Sequence, residues 1–267
     1  MALSPLLRGY DHALLDLDGC VWVDDEPTPA AIEAVAALRE AGKGISFVTN
    51  DARRSGEEFV RKLWRLGFQA SLEEVVTVGG ALQFYLAQAG HGAATAFVIG
   101  ADPVIAHVAD AGLRVVNNTE FASRADIVVV AAHDALTYAE LRVATQAVLR
   151  GAPMVCAGRD ATFPMSDGPW PGTGSVVAAL EYATGERALT IGKPEAPIFE
   201  AALDRLGEGR ALMIGDRLDA DVAGARAAGL DAALVLTGAT SREQADAAPE
   251  PGPVAVGETL AALVLDG

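Results

Sequence analysis

The chain has 267 residues, of which 51% are hydrophobic and 21% charged, and a formal net charge of −16; that supports one large or two modest well-packed domains and excludes a disordered chain. The acidity argues against nucleic acid and anionic membrane as partners, while a locally positive site for an anionic substrate stays compatible with it. No apolar run is long enough for a bilayer, the start lacks a signal-peptide layout, and Cys20 and Cys156 form no disulfide framework, so the cytoplasm is the expected location.

Residues 12–20 read as a short apolar strand, buried on both faces through Ala13, Leu14, Leu15 and Leu17, that ends in Asp16, Asp18 and Gly19. A first helix is expected over 29–41, a second strand over 45–50 and a helix over 55–66, with Ser55 and Glu58 in a capping-box pattern. A short strand at 75–77 follows. A further α/β block has strands at 96–99, 114–116, 127–130 and 154–156, and helices at 102–111 and 137–150. Residues 158–174 read as a Gly/Pro-rich loop leading to a helix over 175–184. After Thr190-Ile191-Gly192-Lys193-Pro194 come a helix at 197–206, a strand at 211–216, a helix at 219–228 and a strand at 232–236. Residues 239–253 read as surface loop and 258–264 as a helix. The alternation predicts an α/β fold with a parallel sheet, and polar strand ends near 16, 49 and 216 are interrupted by a long insertion. That pattern describes a core domain split by a second domain.

In an extended segment Asp16 and Asp18 share a face, and Gly19 permits a sharp turn. Two carboxylates this close need an offsetting charge, for which a hard cation such as Mg²⁺ is suited. One carboxylate can then attack phosphorus while the other moves protons. Thr49, at a buried strand end, can hold a phosphate oxygen through its hydroxyl and the amides that follow. Lys193 is one of three lysines, with Lys43 and Lys62, in a chain that otherwise uses arginine, and its compact charge suits a nucleophile and phosphoryl oxygens. In Gly215-Asp216-Arg217-Leu218-Asp219-Ala220-Asp221, Asp216 is the expected metal ligand, Asp221 a weaker ligand or outer group, and Asp219 the helix cap.

In motif order, Asp16-Leu17-Asp18-Gly19, Thr49-Asn50, Lys193 and Gly215-Asp216 with Asp221 resemble the haloacid dehalogenase superfamily of phosphohydrolases. Pro171-Gly172-Thr173-Gly174-Ser175, Ile191-Gly192-Lys193-Pro194 and Gly215-Asp216-Arg217-Leu218-Asp219 resemble the subclass with an α/β cap, which includes p-nitrophenylphosphatases, phosphoglycolate phosphatases and ribonucleotide monophosphatase-like proteins. The resemblance implies a doubly wound, mostly parallel Rossmann-like core sheet at 1–79 and 183–267, with an inserted cap at 80–182. It implies Asp16 as the nucleophile that becomes phospho-aspartate and Asp18 as general acid and base. Mg²⁺ would be held by Asp16, the Asp18 backbone carbonyl and Asp216, with Asp221 close by. The phosphoryl group would lie on Gly19, Thr49, Asn50, Asp51 and Lys193. The dehalogenase branch lacks the second Asp, so Asp18 favours phosphate esters.

The chain departs from the pattern in places. Asp51 stands where a second Asn is frequent, and an Asp beside a phosphate is unfavourable unless it turns away. Ala220 stands where Thr is common. The cap run Ala157-Gly158-Arg159-Asp160 lacks the usual Asn. Arg159 there offers a fork suited to a carboxylate or second phosphate, with Asp160 beside it; His133, Asp134, Asp167 and Trp170 are further polar cap residues. The expected partner is a small phosphorylated metabolite, and the resemblance allows a homodimer through the cap. The alternatives are a phosphomutase and a phosphate-binding, receiver-like regulator.

Overall fold

A computed structural model describes residues 2–90, 93–131, 133–165 and 168–266. Two compact units partition the chain, one of residues 1–49, 56–76 and 193–267, the other of residues 50–55 and 77–192.

The first unit is built on a sheet whose order is Ala255–Gly257, Asp231–Val235, Ala211–Gly215, His12–Asp16, Gly44–Thr49 and Val75–Thr77. The first five pair in parallel. His12–Asp16 is central because Ala13, Leu14 and Leu15 are apolar on both faces and fully buried. Its neighbours are Gly44–Thr49 on one side and Ala211–Gly215 on the other. This is the point where strand order reverses, and in such sheets the crevice at the carboxyl ends receives ligands. Register sets Leu15 opposite Ile214 and Asp16 opposite Val48, so Asp16, Thr49 and Asp216 share one edge of the sheet. Helices Ala31–Glu40, Gly56–Arg65, Ala196–Leu206 and Leu260–Val264 carry the rest of the apolar surface, with Leu38, Phe59, Leu63 and Leu263 in the same core as Leu15, Phe47 and Ile214.

The second unit has its own parallel sheet, in the order Leu189–Thr190, Met154–Cys156, Ile127–Val130, Thr95–Ile99 and Arg114–Val115. Val128, Val130, Cys156, Val177 and Leu180 are central to a separate core. Tyr138–Val148 begins with a capping box between Thr137 and Glu140.

Several elements differ from expectation. The second unit runs to Gly192 rather than to 182, because Leu189–Thr190 adds to its sheet beside Met154–Cys156. Residues 158–174 are not only loop. They contain an antiparallel hairpin of Thr162–Met165 and Gly168–Pro171, whose prolines and glycines conceal the strands from periodicity. A helix Val78–Gln88, fixed by the Thr77 hydroxyl, fills a stretch with no expected element. The expected loop over 239–253 holds a short helix, Arg242–Asp246, with Ser241 and Gln244 as its capping box.

Candidate active site

Asp16 ends the central strand and is buried, as are Thr49, Lys193, Asp216 and Asp221. Lys193 donates to Asp16 Oδ1 and its Nζ lies 2.7 Å from Asp221 Oδ1. A further bond of 3.3 Å reaches the Val48 carbonyl, so the ammonium is held from three sides. Asp216 Oδ2 accepts from the Ala239 amide at 2.6 Å, while its Oδ1 is buried without a hydrogen-bond partner among the described residues. Asp16, Asp216 and Asp221 each present an oxygen within 4.8 Å of the others.

The backbone makes room for this cluster. Gly19 has φ +89°, and a Cβ there would stand 2.5 Å from Asp216 Oδ2. A Cβ at Gly238 would stand 2.0 Å from the same oxygen. Side chains are therefore excluded on two sides of Asp216, at Gly19 by backbone conformation as well.

The electrostatics are unbalanced. Burial pushes the Asp16 carboxyl well above the usual carboxylate range, against the pull of Lys193 and with the help of Asp221 and Asp216. Burial also raises Asp216, opposed by the Ala239 N–H. Burial alone would lower Lys193, but Asp16 and Asp221 outweigh it and hold the ammonium above its ordinary value. Fully ionised, three carboxylates against one ammonium would leave two negative charges uncompensated. A doubly charged hard cation cancels that excess and uses the unpartnered Asp216 oxygen, so the donor set fits Mg²⁺.

Other expected residues fall into place differently. Asp18 is exposed, and its Oδ1 accepts a 2.8 Å bond from Trp22 Nε1. Asp219 does not cap a helix. It pairs with Arg217 at 3.0 Å, and the Arg217 amide is instead bound by Asp221 Oδ2, also at 3.0 Å. Asp221, four residues on, reaches back under the strand end; Asp219, two residues on, points outward to the guanidinium.

Asn50 and Asp51 group with the second unit. Asp51 turns to Arg53, accepting from its amide at 2.8 Å and from its guanidinium at 3.1 and 3.2 Å. The charge that made Asp51 unfavourable is thus neutralised locally, and Arg53 also lies 4.5 Å from the Phe163 ring centroid. Arg159 is exposed, but its guanidinium donates to Glu181 at 2.7 Å, Thr190 at 3.0 Å and the Ala188 carbonyl at 2.9 Å. The Arg159 hydrogen bond, above all, holds Glu181 well below its usual range, at about 2, against a smaller opposing effect of burial. The Asp160 carbonyl accepts from Gly174 at 3.0 Å at the start of helix Thr173–Thr184. His133 lies 3.0 Å from Glu140, Asp134 is exposed, and Trp170 meets Phe163 across the hairpin. Asp167 lies outside the described residues.

Trp22, Arg53, Gly238 and Ala239 were not read from the sequence. Arg53 carries a local signal, two residues from an otherwise uncompensated Asp51. Gly238 and Ala239 carry none, because only the fold brings them to Asp216.

A family model described as haloacid dehalogenase-like hydrolase matches residues 13–114, and a second, HAD-hydrolase-like, matches 190–263. The D-glycerol 3-phosphate phosphatase of Mycobacterium tuberculosis is 37% identical over 265 residues, covering 99% of this chain and 74% of that protein. The chain belongs to the haloacid dehalogenase-like hydrolases. Human chronophin is 33% identical, over 92% of this chain and 88% of chronophin. The crystal structure of the Mycobacterium tuberculosis glycerol phosphate phosphatase in complex with magnesium matches with a TM-score of 0.90, covering 99% of this chain and 79% of that one. Among the described residues of this hydrolase, no helix is long and apolar enough to cross a membrane.

Proposed function

We infer that this hydrolase is a Mg²⁺-dependent phosphatase of small phosphate monoesters, acting through a phospho-aspartate on Asp16. The observation that carries the reading is the buried cluster of Asp16, Asp216 and Asp221 around Lys193, with Asp18 exposed two residues from Asp16. Mg²⁺, held by Asp16, Asp216 and the Asp18 carbonyl with Asp221 adjacent, supplies charge stabilisation for the phosphoryl oxygens. Asp16 attacks phosphorus, and its oxygen–phosphorus bond forms as the ester bond breaks. Asp18 gives its proton to the departing alkoxide. It then takes a proton from the water that attacks the phospho-aspartate, freeing phosphate and restoring Asp16. Lys193 holds Asp16 in place and offsets charge throughout, and Thr49 and Gly19 lie at the same edge to receive phosphoryl oxygens.

The sets of names carried by relatives support phosphate esters in general: a glycerol phosphate phosphatase, a 5′-nucleotidase and an acid sugar phosphatase. Neither a mutase nor a receiver-like regulator draws a specific observation. For Asn50 and Asp51 the phosphate-binding assignment rests on the motif resemblance alone. For Arg159 we propose a structural role, since Glu181 takes its fork. The acidity supports a cytoplasmic enzyme whose partner is a small phosphorylated metabolite, without nucleic acid or membrane. A homodimer through the second unit is part of the proposal, with sedimentation as its measure.

The test is phosphate release from a panel of monoesters with and without Mg²⁺, for wild type and Asp16→Asn. Release that needs Mg²⁺ and disappears in the variant supports the reading. Undiminished release by a folded Asp16→Asn protein removes Asp16 as nucleophile.

A further inference from the structure

The chain doubles back directly after the central strand. The Leu17 carbonyl accepts from the amides of Val21 at 2.9 Å and Trp22 at 3.1 Å, and the Gly19 amide donates to the Trp22 carbonyl at 2.7 Å. This tight turn carries the Trp22 indole to the carboxylate four residues earlier, where Nε1–H donates to Asp18 Oδ1 at 2.8 Å.

Trp22 is held far more firmly than Asp18. Its side chain is fully buried, and its ring stacks on Phe59 with centroids 6.5 Å apart and planes 8° from parallel. Lys62 Nζ lies 4.4 Å from the ring centroid, and Lys62 is itself fixed by the Asp24 carbonyl at 2.7 Å and Asp25 at 3.3 Å. Packing alone requires no indole here. The one polar atom of this buried ring is directed at an exposed carboxylate.

An indole N–H only donates. While it binds Oδ1, that oxygen must accept, and a proton on Asp18 resides on Oδ2. We propose that Trp22 is a positioning residue for the general acid and base: it holds the Asp18 carboxyl in one orientation and reserves Oδ2 for the proton delivered to the leaving alkoxide. The proposal rests on the phosphatase reading above.

Leaving groups separate this role from a structural one. An alkoxide must be protonated as it departs, whereas p-nitrophenolate departs as a stable anion. The quantity to read is kcat/KM, which reports the step in which the leaving group departs, for glycerol phosphate and p-nitrophenyl phosphate at saturating Mg²⁺. Trp22→Phe is expected to lower it about tenfold on the alkyl ester and less than about threefold on the aryl ester. Asp18→Asn should split the two esters in the same direction, and adding Trp22→Phe to it should widen the split no further. Both esters are read on one preparation, so partial unfolding leaves their ratio untouched.

Equal losses on both esters, or an additive loss in the double variant, overturn the assignment while the phosphatase reading stands. Failure of the wild type to hydrolyse either ester takes down both. A second measurement does not depend on a Trp22 variant. One of the three indole ¹⁵N–¹H resonances should move when Asp18→Asn replaces the charged acceptor, and three unmoved resonances overturn the contact.

Discussion

Asp216, the proposed metal ligand, shows how the fold can leave one carboxylate oxygen open to a cation. One oxygen is tied to the Ala239 amide, the other is buried without a partner, and Gly19 and Gly238 lie against the side chain. Gly238→Ala pushes a methyl group into the tied oxygen, so the Mg²⁺ concentration for half-maximal activity should rise about tenfold to a hundredfold, as measured by Mg²⁺ titration. Asp216→Asn removes one charge from a site with a double negative excess. Without Mg²⁺ that variant should melt at a higher temperature than wild type, and its gain in Tm on adding Mg²⁺ should vanish. A lower metal-free Tm would contradict the charge imbalance. Asp16, Asp18 and Asp216 stand out in the sequence because each lies at or within two residues of an apolar strand end, and Lys193 because the chain has only three lysines; the structure brings Asp16, Lys193 and Asp216 together. Trp22 does not stand out, because an aromatic residue after a strand reads equally well as core, and it is core; only the direction of its N–H distinguishes it.

At the level of elements, ion pairs and caps govern the second unit. Glu181, on helix Thr173–Thr184, binds Arg159 and Arg187 and accepts the Ala188 amide at 3.0 Å. Its folded pKa of about 2 lies below the ordinary 4.5, so it prefers the folded state when ionised. The stability it contributes is therefore complete above about pH 4.5 and is lost as the pH falls toward about 2. Glu181→Gln should flatten acid unfolding of the second unit across that window, as followed by circular dichroism at fixed temperature. At helix Tyr138–Val148, Thr137→Ala removes one half of the capping box and should cost about 1 kcal/mol in denaturant unfolding. The helix itself was expected over 137–150 from its amphipathic pattern, while its capping box comes from the structure. The hairpin Thr162–Met165 and Gly168–Pro171 was not expected, because Pro164, Pro169 and Pro171 suit an isolated two-stranded ribbon but mask alternation.

Over the whole molecule, two cores imply two responses. The carboxylates proposed to hold Mg²⁺ belong to the first unit, and the Glu181 ion pairs to the second. Hydrogen exchange should show added Mg²⁺ protecting the strands His12–Asp16 and Ala211–Gly215, and Glu181→Gln exposing helix Thr173–Thr184. The alternation of strands and helices made both parallel sheets legible, and the gap between Thr49 and Lys193 made the split legible. The boundary was misread at its end because Leu189–Thr190 is too short for its sequence to say which sheet it joins.

The ion pair between Lys193 and Asp16 spans 177 positions of the chain. During synthesis Asp16 emerges early, in a sheet whose central strand has a neighbour on only one side. The strands of the second unit's sheet, all between 95 and 190, leave the ribosome before Asp16 meets its ammonium. Asp216 and Asp221 come later still. A chain released before residue 216 therefore carries a complete second sheet and an incomplete charge cluster, and phosphate release in a translation mixture counts finished chains rather than started ones.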